Sequence, residues 1–365
     1  MDYDIAVIGG GLVGSSIAYG LSKKGRRVAL LDEGDRAFRA SRGNFGLIWV
    51  QGKGWDFPAY AKWTDEAAGL WPAFDSELQE STGVELGYTR PGGMEFCFDE
   101  RGWNDLNDCM ARVRTNSDGA FEYEMLEHAE LRKRIPEVSS AVIGASYSPR
   151  DGHVNPLYLL RALHQRLDAR RVDYLPNRHV DSIECLHGGF ELRTNDERLA
   201  AGRVVLCAGI DNVRLGKLLG LNIPVRPNRG QLLITERVQH FLNYPTLHVR
   251  QTREGSLQIG DSQEDAGRDD GTTTEVMNRL ASRAVSIFPM LKTVRVVRAW
   301  AALRVMTPDG KPVYQQSSDC QGAFGIACHS GVTLAAIHAG PVADWVAGGN
   351  PHPLIARFHP DRFDV

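Results

Sequence analysis

The chain has 365 residues, 42% of them hydrophobic and 24% charged, which is the composition of an ordinary globular protein. This length predicts two domains of moderate size, or one large domain interleaved with a smaller one. A net charge of −3 provides no basic field that would attract nucleic acid, so small molecules are the expected partners. No apolar run has the roughly 20 residues that a membrane helix needs, and we see no signal peptide and no metal-binding cysteine spacing. We therefore expect a cytoplasmic protein without a membrane span and without a metal site.

The first forty residues are predicted to form a strand–turn–helix–strand unit. Residues 4–8 are an apolar run of strand length, and residues 12–24 repeat apolar positions at helical spacing. Residues 27–31 form the second predicted strand, which is followed directly by Asp32. This is the context that a βαβ nucleotide-binding unit requires.

The turn after the first strand matches the pattern G-x-G-x-x-G. Gly9 permits the tight turn, Gly11 lets the backbone approach a pyrophosphate, and Gly14 allows the helix to pack closely on the strand. Asp32, or Glu33 beside it, lies where an acid can bind the ribose hydroxyls, and we prefer Asp32 because it follows the apolar strand directly. These residues leave FAD and NAD open, whereas an acid at this place disfavours the 2′-phosphate of NADP.

Strands and turns alternate through the rest of the chain without an internal repeat. Residues 203–209 are predicted as a buried parallel strand, and residues 229–260 alternate as in an antiparallel sheet. A helix is expected over 275–288, and the strand 323–327 leads into a last long helix over 333–346. Parallel-type elements at both ends, with antiparallel strands between them, indicate a nucleotide-binding domain that is interrupted by a substrate domain.

Seven motifs, spread in order over nearly the whole chain, resemble those of one flavoprotein family. They are the N-terminal glycines, A-S-R-G-N-F-G at 40–46, D-G-H-V-N-P at 151–156, V-L-C-A-G at 205–209, R-P-N-R-G-Q at 226–231, L-R-V-M-T-P-D-G at 303–310 and C-H-S-G-V-T-L at 328–334. The set is similar to that of the D-amino-acid oxidase family. The branch that it resembles is the one with glycine oxidase, sarcosine oxidase, cyanide synthase and the opine and hydroxyproline dehydrogenase subunits.

This resemblance implies an α/β protein in which a Rossmann-like FAD-binding domain with a parallel sheet is interleaved with a substrate domain built on an antiparallel sheet. We expect residues 1–85, 147–225 and 305–365 in the FAD-binding domain, and residues 86–146 and 226–304 in the substrate domain. The implied reaction passes a hydride from the α-carbon of a small amino or imino acid to flavin N5, and the imine is then hydrolysed to a 2-oxo acid and an amine. The branch favours a secondary amine such as iminodiacetate, sarcosine, an opine or D-hydroxyproline.

The resemblance also implies a set of cofactor contacts. Besides the glycine turn and its acid, the implied residues are Ser41, Arg42, Asn44, Gly46, Val180, Gly209, Gly331, Val332 and Thr333. The loop at 41–46 is expected to pass the pyrophosphate and the flavin ring, while Val180 would contact the adenine through its backbone or serve as a plain core valine. The turn at 331–333 is expected beside the flavin N1–C2=O edge, where the N-terminus of a helix would stabilise negative charge.

Five residues are implied as candidates for the substrate pocket. Arg304 matches the family arginine that holds the substrate carboxylate, a group that a planar guanidinium binds through two parallel hydrogen bonds. His248 falls where glycine-oxidase-like members place a tyrosine, and His329 is expected to face the flavin ring. Trp49 and Arg250 are weaker candidates for the pocket walls. A surface ion pair for Arg304 and a structural cap for His329 are the alternative interpretations.

Two departures from the family pattern bear on these expectations. The family proline after the arginine is Val305 here, and residues 301–303 contain no cysteine at the place where some sarcosine oxidases attach the flavin. We therefore expect noncovalent FAD, unless Cys328 or Cys320 bonds it.

Three functional hypotheses follow from the resemblance. The protein is a stand-alone oxidase that uses O2, or the catalytic subunit of a dehydrogenase that passes electrons to a partner subunit, or an FAD-binding assembly protein without turnover. The expected carboxylate ligand Arg304 argues against the assembly protein.

Overall fold

The computed structural model describes residues 1–34, 39–169, 172–195 and 197–364. The strands are β1 (Tyr3–Ile8), β2 (Val28–Asp32), β3 (Leu47–Ile48), β4 (Gly93–Cys97), β5 (Glu124–Glu127), β6 (Gly144–Ser148), β7 (Gly152–His153), β8 (Asp173–Pro176), β9 (Val180–Leu186), β10 (Gly189–Thr194), β11 (Arg198–Leu206), β12 (Arg226–Arg237), β13 (Val249–Gln251), β14 (Ser256–Ile259), β15 (Val296–Met306), β16 (Val313–Gln316) and β17 (Ala323–Ala327). The helices are α1 (Leu12–Lys23), α2 (Pro58–Thr82), α3 (Glu100–Asn116), α4 (His128–Arg134), α5 (Pro156–Ala169), α6 (Asn212–Lys217), α7 (Thr274–Ile287), α8 (Ala335–Ile337) and α9 (Ala343–Val346).

The largest sheet has a parallel centre that combines strands from both ends of the chain with β8 and β11 from its middle. Its strand order is β16-β17-β11-β1-β2-β8, and the pairs from β17 to β8 are parallel. The central strand β1 is buried on both faces, because Val7 packs into the core that contains α1, α2 and α5, and Ala6 packs into the core on the opposite face. A strand covered on both faces is apolar along its whole length, which is the pattern of residues 4–8.

Two antiparallel sheets form the second part of the fold. One has the strand order β13-β14-β12-β15, and the other has the order β4-β6-β5. They share a hydrophobic core with α7, in which Met94 and Phe96 of β4 lie with Leu280 and Ala284. The predicted fold class, a Rossmann-like parallel sheet combined with an antiparallel substrate sheet, is confirmed. The sheets divide along the chain near the predicted domain boundaries, which themselves stay a prediction.

The predicted long helix over 333–346 is wrong. The structure has the one-turn helix α8, a π-helical turn at His338–Val342 and then α9. Gly340 has non-helical φ and ψ of −110° and −107°, and Pro341 lacks the N–H that a continuous helix would need. A helix still begins after the turn at 331–333, with α8 and the π-helical turn, so the stabilisation of the flavin by its N-terminus stays a prediction.

The described residues also bear on membrane insertion and on metal binding. No helix in these ranges is long and apolar enough to cross a lipid bilayer. The same ranges contain no group of three or more His, Cys, Asp or Glu side chains that could hold a metal ion.

Candidate active site

A long cleft crosses the carboxyl ends of the parallel strands in the large sheet. Its cavity of about 400 Å³ is lined from Asp32, at the end of β2, to His329, after β17. Strands β2, β1, β11 and β17 are successive neighbours in the sheet. The two ends of the cleft are therefore three inter-strand steps apart, each of about 4.8 Å. A cleft of this extent at the carboxyl ends of parallel strands suits an elongated dinucleotide.

The glycine turn between β1 and α1 forms the middle of this cleft. The Gly10 N–H donates to Oδ2 of Asp32 at 2.7 Å, and the Leu12 N–H donates to Oγ of Ser41 at 2.9 Å. A Cβ atom on Gly11 would lie only 2.7 Å from that Ser41 oxygen, so glycine keeps the backbone surface open here. Bare backbone beside a fixed carboxylate fits the pyrophosphate and the ribose hydroxyls of FAD.

Most of the predicted cofactor residues line the cleft. They are Gly9, Gly11, Asp32, Glu33, Ser41, Arg42, Asn44, Val180, Gly209 and Gly331. Of the two acids, Glu33 already makes an ion pair with Arg39 at 2.8 Å and a hydrogen bond with Nδ1 of His179 at 2.9 Å. Among the described residues, the Asp32 carboxylate accepts hydrogen bonds from backbone N–H groups alone, which agrees with the preference for Asp32 as the ribose ligand.

Four predicted cofactor residues do not line the cleft. They are Gly14, Gly46, Val332 and Thr333. A Cβ atom on Gly14 would lie 1.9 Å from the carbonyl oxygen of Gly9, which is the close helix–strand packing that was predicted. Gly46 has a φ of 88° and packs against the Val154 carbonyl. These residues have packing roles in the structure, and a direct contact with the cofactor stays a prediction for them.

The turn after β17 closes the cleft with neutral groups. Burial, together with the positive charges of Lys53 and Arg304, lowers the pKa of His329 to about 3, so the imidazole is neutral at physiological pH. Cys328 also lines the cleft, but burial raises the pKa of its thiol to about 12. A protonated thiol is a poor nucleophile, which fits noncovalent FAD.

Arg304 extends from β15 with one nitrogen already bound. Its Nη1 donates to the Ser262 carbonyl at 2.6 Å and to Oδ1 of Asn228, the opposite residue on β12, at 3.3 Å. Nη2 lies 3.9 Å from Oδ1 of Asp261, which is beyond hydrogen-bond distance. Among the described residues, neither Nε nor Nη2 has a hydrogen-bond partner, and 24% of the side chain is exposed. The guanidinium is thus fixed on one side and open on the other.

His248 lies close to the same acid. Its Nδ1 is 3.7 Å from Oδ2 of Asp261, which follows β14 in the left-handed conformation with a φ of 69°. Burial and the positive charge of Arg283 lower the pKa of His248 to about 4, although Asp261 opposes this shift. The structure therefore brings His248 and Arg304, two of the predicted residues, together around Asp261.

Trp49 connects the cofactor cleft with the smaller antiparallel sheet. Its backbone N–H donates to Oγ1 of Thr333 at 3.1 Å. Its ring packs against β4, since a Cβ atom on Gly93 would lie 2.6 Å from it. Only 7% of Trp49 is exposed, and its role as a wall of the substrate pocket stays a prediction.

Arg250 has a different environment from the predicted one. Its Nη2 donates to Oε1 of Gln258 at 2.6 Å, and its Nη1 lies 3.2 Å from Nδ1 of His153. The guanidinium packs beneath Gly46 and faces a second cavity of about 820 Å³, away from the cofactor cleft. The prediction that Arg250 forms a wall of the Arg304 pocket is therefore corrected: Arg250 supports the loop at Gly46.

Three charged residues of this region were not predicted from the sequence. They are Lys53, Glu95 and Asp261. Lys53 Nζ donates to Oγ of Ser330 at 2.7 Å, next to the turn that closes the cleft. A signal was present for Glu95, because an acid inside the otherwise apolar strand Gly93–Cys97 is unusual. Lys53 and Asp261 follow no pattern in the sequence that would assign them to a site.

Comparison with known proteins identifies the family. The profile described as FAD dependent oxidoreductase (DAO) matches residues 4–345. The chain belongs to this family. It is 40% identical over 363 residues to an opine oxidase subunit of Agrobacterium tumefaciens (strain Ach5), a match that covers 99% of this chain and 98% of that protein. It is 39% identical to the corresponding opine oxidase subunit of Rhizobium meliloti, over 100% of this chain and 98% of the relative.

Solved structures agree with this assignment. Glycine oxidase from Geobacillus kaustophilus superposes with a TM-score of 0.88 at 26% identity, over 98% of both chains. This DAO family protein is therefore an FAD-dependent oxidoreductase that acts on the C–N bond of amino-acid-like substrates, and its FAD is noncovalent. The predicted family, enzyme class and cofactor are confirmed.

Proposed function

We propose that the protein oxidises the C–N bond at the α-carbon of a small amino acid whose nitrogen is a secondary amine. Two relatives at 40% and 39% identity are named as opine oxidase subunits, and opines are among the secondary amines that the sequence motifs favour. The proposal adds a substrate class and residue roles to the family assignment.

The open edge of Arg304 is the observation that carries this proposal. Because Nη1 is held by Ser262 and Asn228, the guanidinium cannot turn away from the pocket. Its free Nε and Nη2 point in parallel and match the two oxygens of a carboxylate. Binding there would fix the substrate α-carbon beside the cleft, at the end where His329 lies.

The local charges also favour the reactive form of the amine. When bound, FAD supplies the acceptor for the hydride that leaves the α-carbon. The nitrogen lone pair must be free to form the imine, so the substrate amine has to be neutral. The positive charges of Lys53 and Arg304 act on this end of the cleft, and positive charge nearby lowers the pKa of an ammonium group. The imidazole of His329, held neutral by burial, adds no further repulsion.

An anaerobic reduction screen tests the substrate class. The FAD-loaded protein is mixed without oxygen with iminodiacetate, sarcosine, D-hydroxyproline, an opine and D-alanine, and the bleaching of the flavin absorbance is followed. We expect secondary-amine acids to bleach the flavin faster than D-alanine. Faster bleaching by D-alanine would contradict the substrate class, and bleaching by no acid would favour an FAD-binding assembly protein without turnover.

A second candidate function concerns the electron acceptor. The relatives at 40% and 39% identity are named as subunits, which supports a catalytic subunit that passes electrons to a partner. Oxygen consumption by the purified, substrate-reduced protein distinguishes such a subunit from a stand-alone oxidase. Rapid reoxidation by O2 would indicate a stand-alone oxidase, whereas slow reoxidation by O2 with rapid reoxidation by an artificial dye would indicate a dehydrogenase subunit.

A further inference from the structure

Two cysteines flank a junction between strands of the large sheet. Strand β11 pairs with β1 along one edge, and β10 and β17 both pair with its other edge. Strand β10 runs beside residues 198–201 of β11 and β17 runs beside residues 204–206, so the two strands lie end to end. Among the described residues, no strand pairing joins the hairpin of β9 and β10 to β17. The backbones of the hairpin and of β17 are therefore connected in the sheet through β11.

Cys185, in this hairpin, points toward the junction. Opposite residues of antiparallel strands share one face of the sheet, and Cys185 lies opposite Phe190. Side chains alternate along a strand, so Cys185 also shares its face with Ile183. Phe190 and Ile183 belong to the hydrophobic core on this face of the large sheet, and so does Cys320. The exposed Cys185 therefore lies at the rim of the core that contains the buried Cys320.

Cys320 reaches the same place from the turn that precedes β17. Its backbone is held there, because the Cys320 N–H donates to Oγ of Ser317 at 2.9 Å. Gly322 in the same turn packs on Phe190, since a Cβ atom on Gly322 would lie 3.5 Å from that ring. Phe190 is thus a shared neighbour of this turn and of Cys185. The two cysteine side chains interact directly, and burial together with this interaction raises the pKa of Cys320 to about 11.

We propose that Cys185 and Cys320 form a reversible disulfide, which joins the hairpin of β9 and β10 to the turn before β17. Both thiols are free in this structure, and Cys185 is the exposed one of the two. An accessible cysteine beside a second cysteine is the arrangement in which the first is oxidised and the second completes the bond. Neither residue lines the cofactor cleft, so the inference does not depend on the proposed substrate class.

The oxidant in this reaction is hydrogen peroxide. The Cys185 thiolate attacks one oxygen of the peroxide, the O–O bond breaks, and a sulfenic acid and hydroxide are formed. The Cys320 sulfur then attacks the Cys185 sulfur, and the sulfenic hydroxyl leaves with the Cys320 proton as water. The two thiols together lose two electrons and two protons, and the peroxide becomes two molecules of water. Dithiothreitol reverses the reaction by thiol–disulfide exchange.

The bond would constrain two segments that reach different parts of the cofactor cleft. Strand β9 begins at Val180, which lines the cleft, and β17 leads to His329 at the end of the cleft. A covalent link between residues so far apart in the sequence also lowers the conformational entropy of the unfolded chain. The oxidised protein should therefore melt at a temperature higher by about 3–8 °C.

Peptide mapping tests this inference. The FAD-loaded wild type is treated with hydrogen peroxide, the remaining thiols are blocked, and the proteolytic peptides are compared with and without dithiothreitol. Cys185→Ser and Cys320→Ala each remove one partner of the bond. Cys109→Ser, which replaces another cysteine that is partly exposed, is the matched control. The melting temperature of each protein is measured before oxidation, after oxidation and after reduction.

We expect one linked peptide pair, which contains Cys185 and Cys320, in the wild type and in Cys109→Ser. In both proteins the melting temperature should rise on oxidation and return on reduction, whereas Cys185→Ser and Cys320→Ala should show neither the link nor the rise. A link through another cysteine, or a sulfenic acid on Cys185 without a link, would overturn the inference. Equal melting temperatures of the linked and the reduced wild type would contradict the constraint on the fold. The peptide map of the wild type decides on the bond even if a variant does not fold.

Discussion

The carboxylate of Asp261 lies 3.9 Å from Nη2 of Arg304. This distance is short enough for the carboxylate to offset part of the positive charge of Arg304, but it is too long for a hydrogen bond. Asp261 adopts this place in a left-handed backbone conformation with a φ of 69°. Arg304 is thus partly neutralised before a substrate arrives, and its hydrogen-bonding edge stays open.

This geometry predicts that Asp261→Asn tightens the binding of carboxylates. Two like charges about 4 Å apart near a surface repel by about 1–4 kcal/mol, and the substitution removes that repulsion. Asparagine tolerates the left-handed conformation, so the fold should be kept. We expect the dissociation constant of acetate, read from the flavin spectrum, to fall several-fold. Weaker binding in this variant would show that Asp261 holds Arg304 in position instead.

Arg304→Ala should lower kcat/KM by about two to four orders of magnitude. Two charge-assisted bonds of roughly 1.5–3 kcal/mol each are lost, and part of the loss should appear in kcat because the α-carbon is held less firmly. Arg304→Lys should restore only part of the activity, since an ammonium cannot bind both oxygens in parallel. FAD content should stay at the wild-type level, and the exposed Arg237→Ala serves as the control. Near-normal turnover by Arg304→Ala would remove this residue from the carboxylate site.

Asp32→Ala should lower the FAD occupancy of the purified protein. The carboxylate is held by backbone N–H groups at the end of the cleft, where it can accept the ribose hydroxyls. Glu33→Ala is the matched comparison, because Glu33 is engaged by an ion pair with Arg39 and a hydrogen bond with His179. Occupancy is measured as the ratio of flavin to protein absorbance. A larger loss in Glu33→Ala than in Asp32→Ala would reverse the two roles.

The yellow protein should release its FAD on acid precipitation. Residues 301–303 contain no cysteine, and burial raises the pKa of the Cys328 thiol to about 12. All flavin absorbance is then expected in the supernatant, and the pellet should be colourless. Colour that stays with the denatured chain would point to a covalent bond, which Cys328→Ser would test.

Glu95→Gln should raise the melting temperature at alkaline pH. The pKa of Glu95 is raised to about 7 by burial and by Asp261, above its ordinary value of 4.5. A raised folded-state pKa costs no stability below pH 4.5, and the penalty grows as the pH rises to about 7 and is constant above it, on the order of 3 kcal/mol. The groups that also act around it are Asp151, Cys97 and Cys109, each with a raised pKa. Calorimetry of the FAD-loaded protein should show a larger gain at pH 8.5 than at pH 5.5, and an equal gain at both would contradict a charged Glu95.

The sequence predicted the cofactor half of the site more completely than the substrate half. The glycine turn, Asp32 and Gly209 belong to one local unit or to strand ends whose role follows from their position beside a parallel strand. The substrate half depends on which strands become neighbours. Asn228 and Arg304 are 76 residues apart and meet only because β12 and β15 pair in register.

The two predictions that the structure corrects, the helix over 333–346 and the place of Arg250, also depend on packing between distant parts of the chain. Residues 333–346 are apolar enough for one helix, but Gly340 and Pro341 break it where the chain packs on α1. Arg250 lies in the antiparallel sheet that also contains Arg304. Its guanidinium, however, contacts His153 and Gln258 and supports the loop at Gly46.

The sequence by itself determined the fold class, the family and the FAD cleft, and it pointed to Arg304 as the carboxylate ligand that we propose. These follow from short motifs, in which the spacing along the chain defines the local backbone and its chemistry. Only the tertiary structure decided that the Asp261 carboxylate lies close enough to offset part of the positive charge of Arg304, and that Lys53 lies at the closing turn. Electrostatic energy depends on distance and burial, and both are set by strand pairing and packing between residues far apart in the sequence.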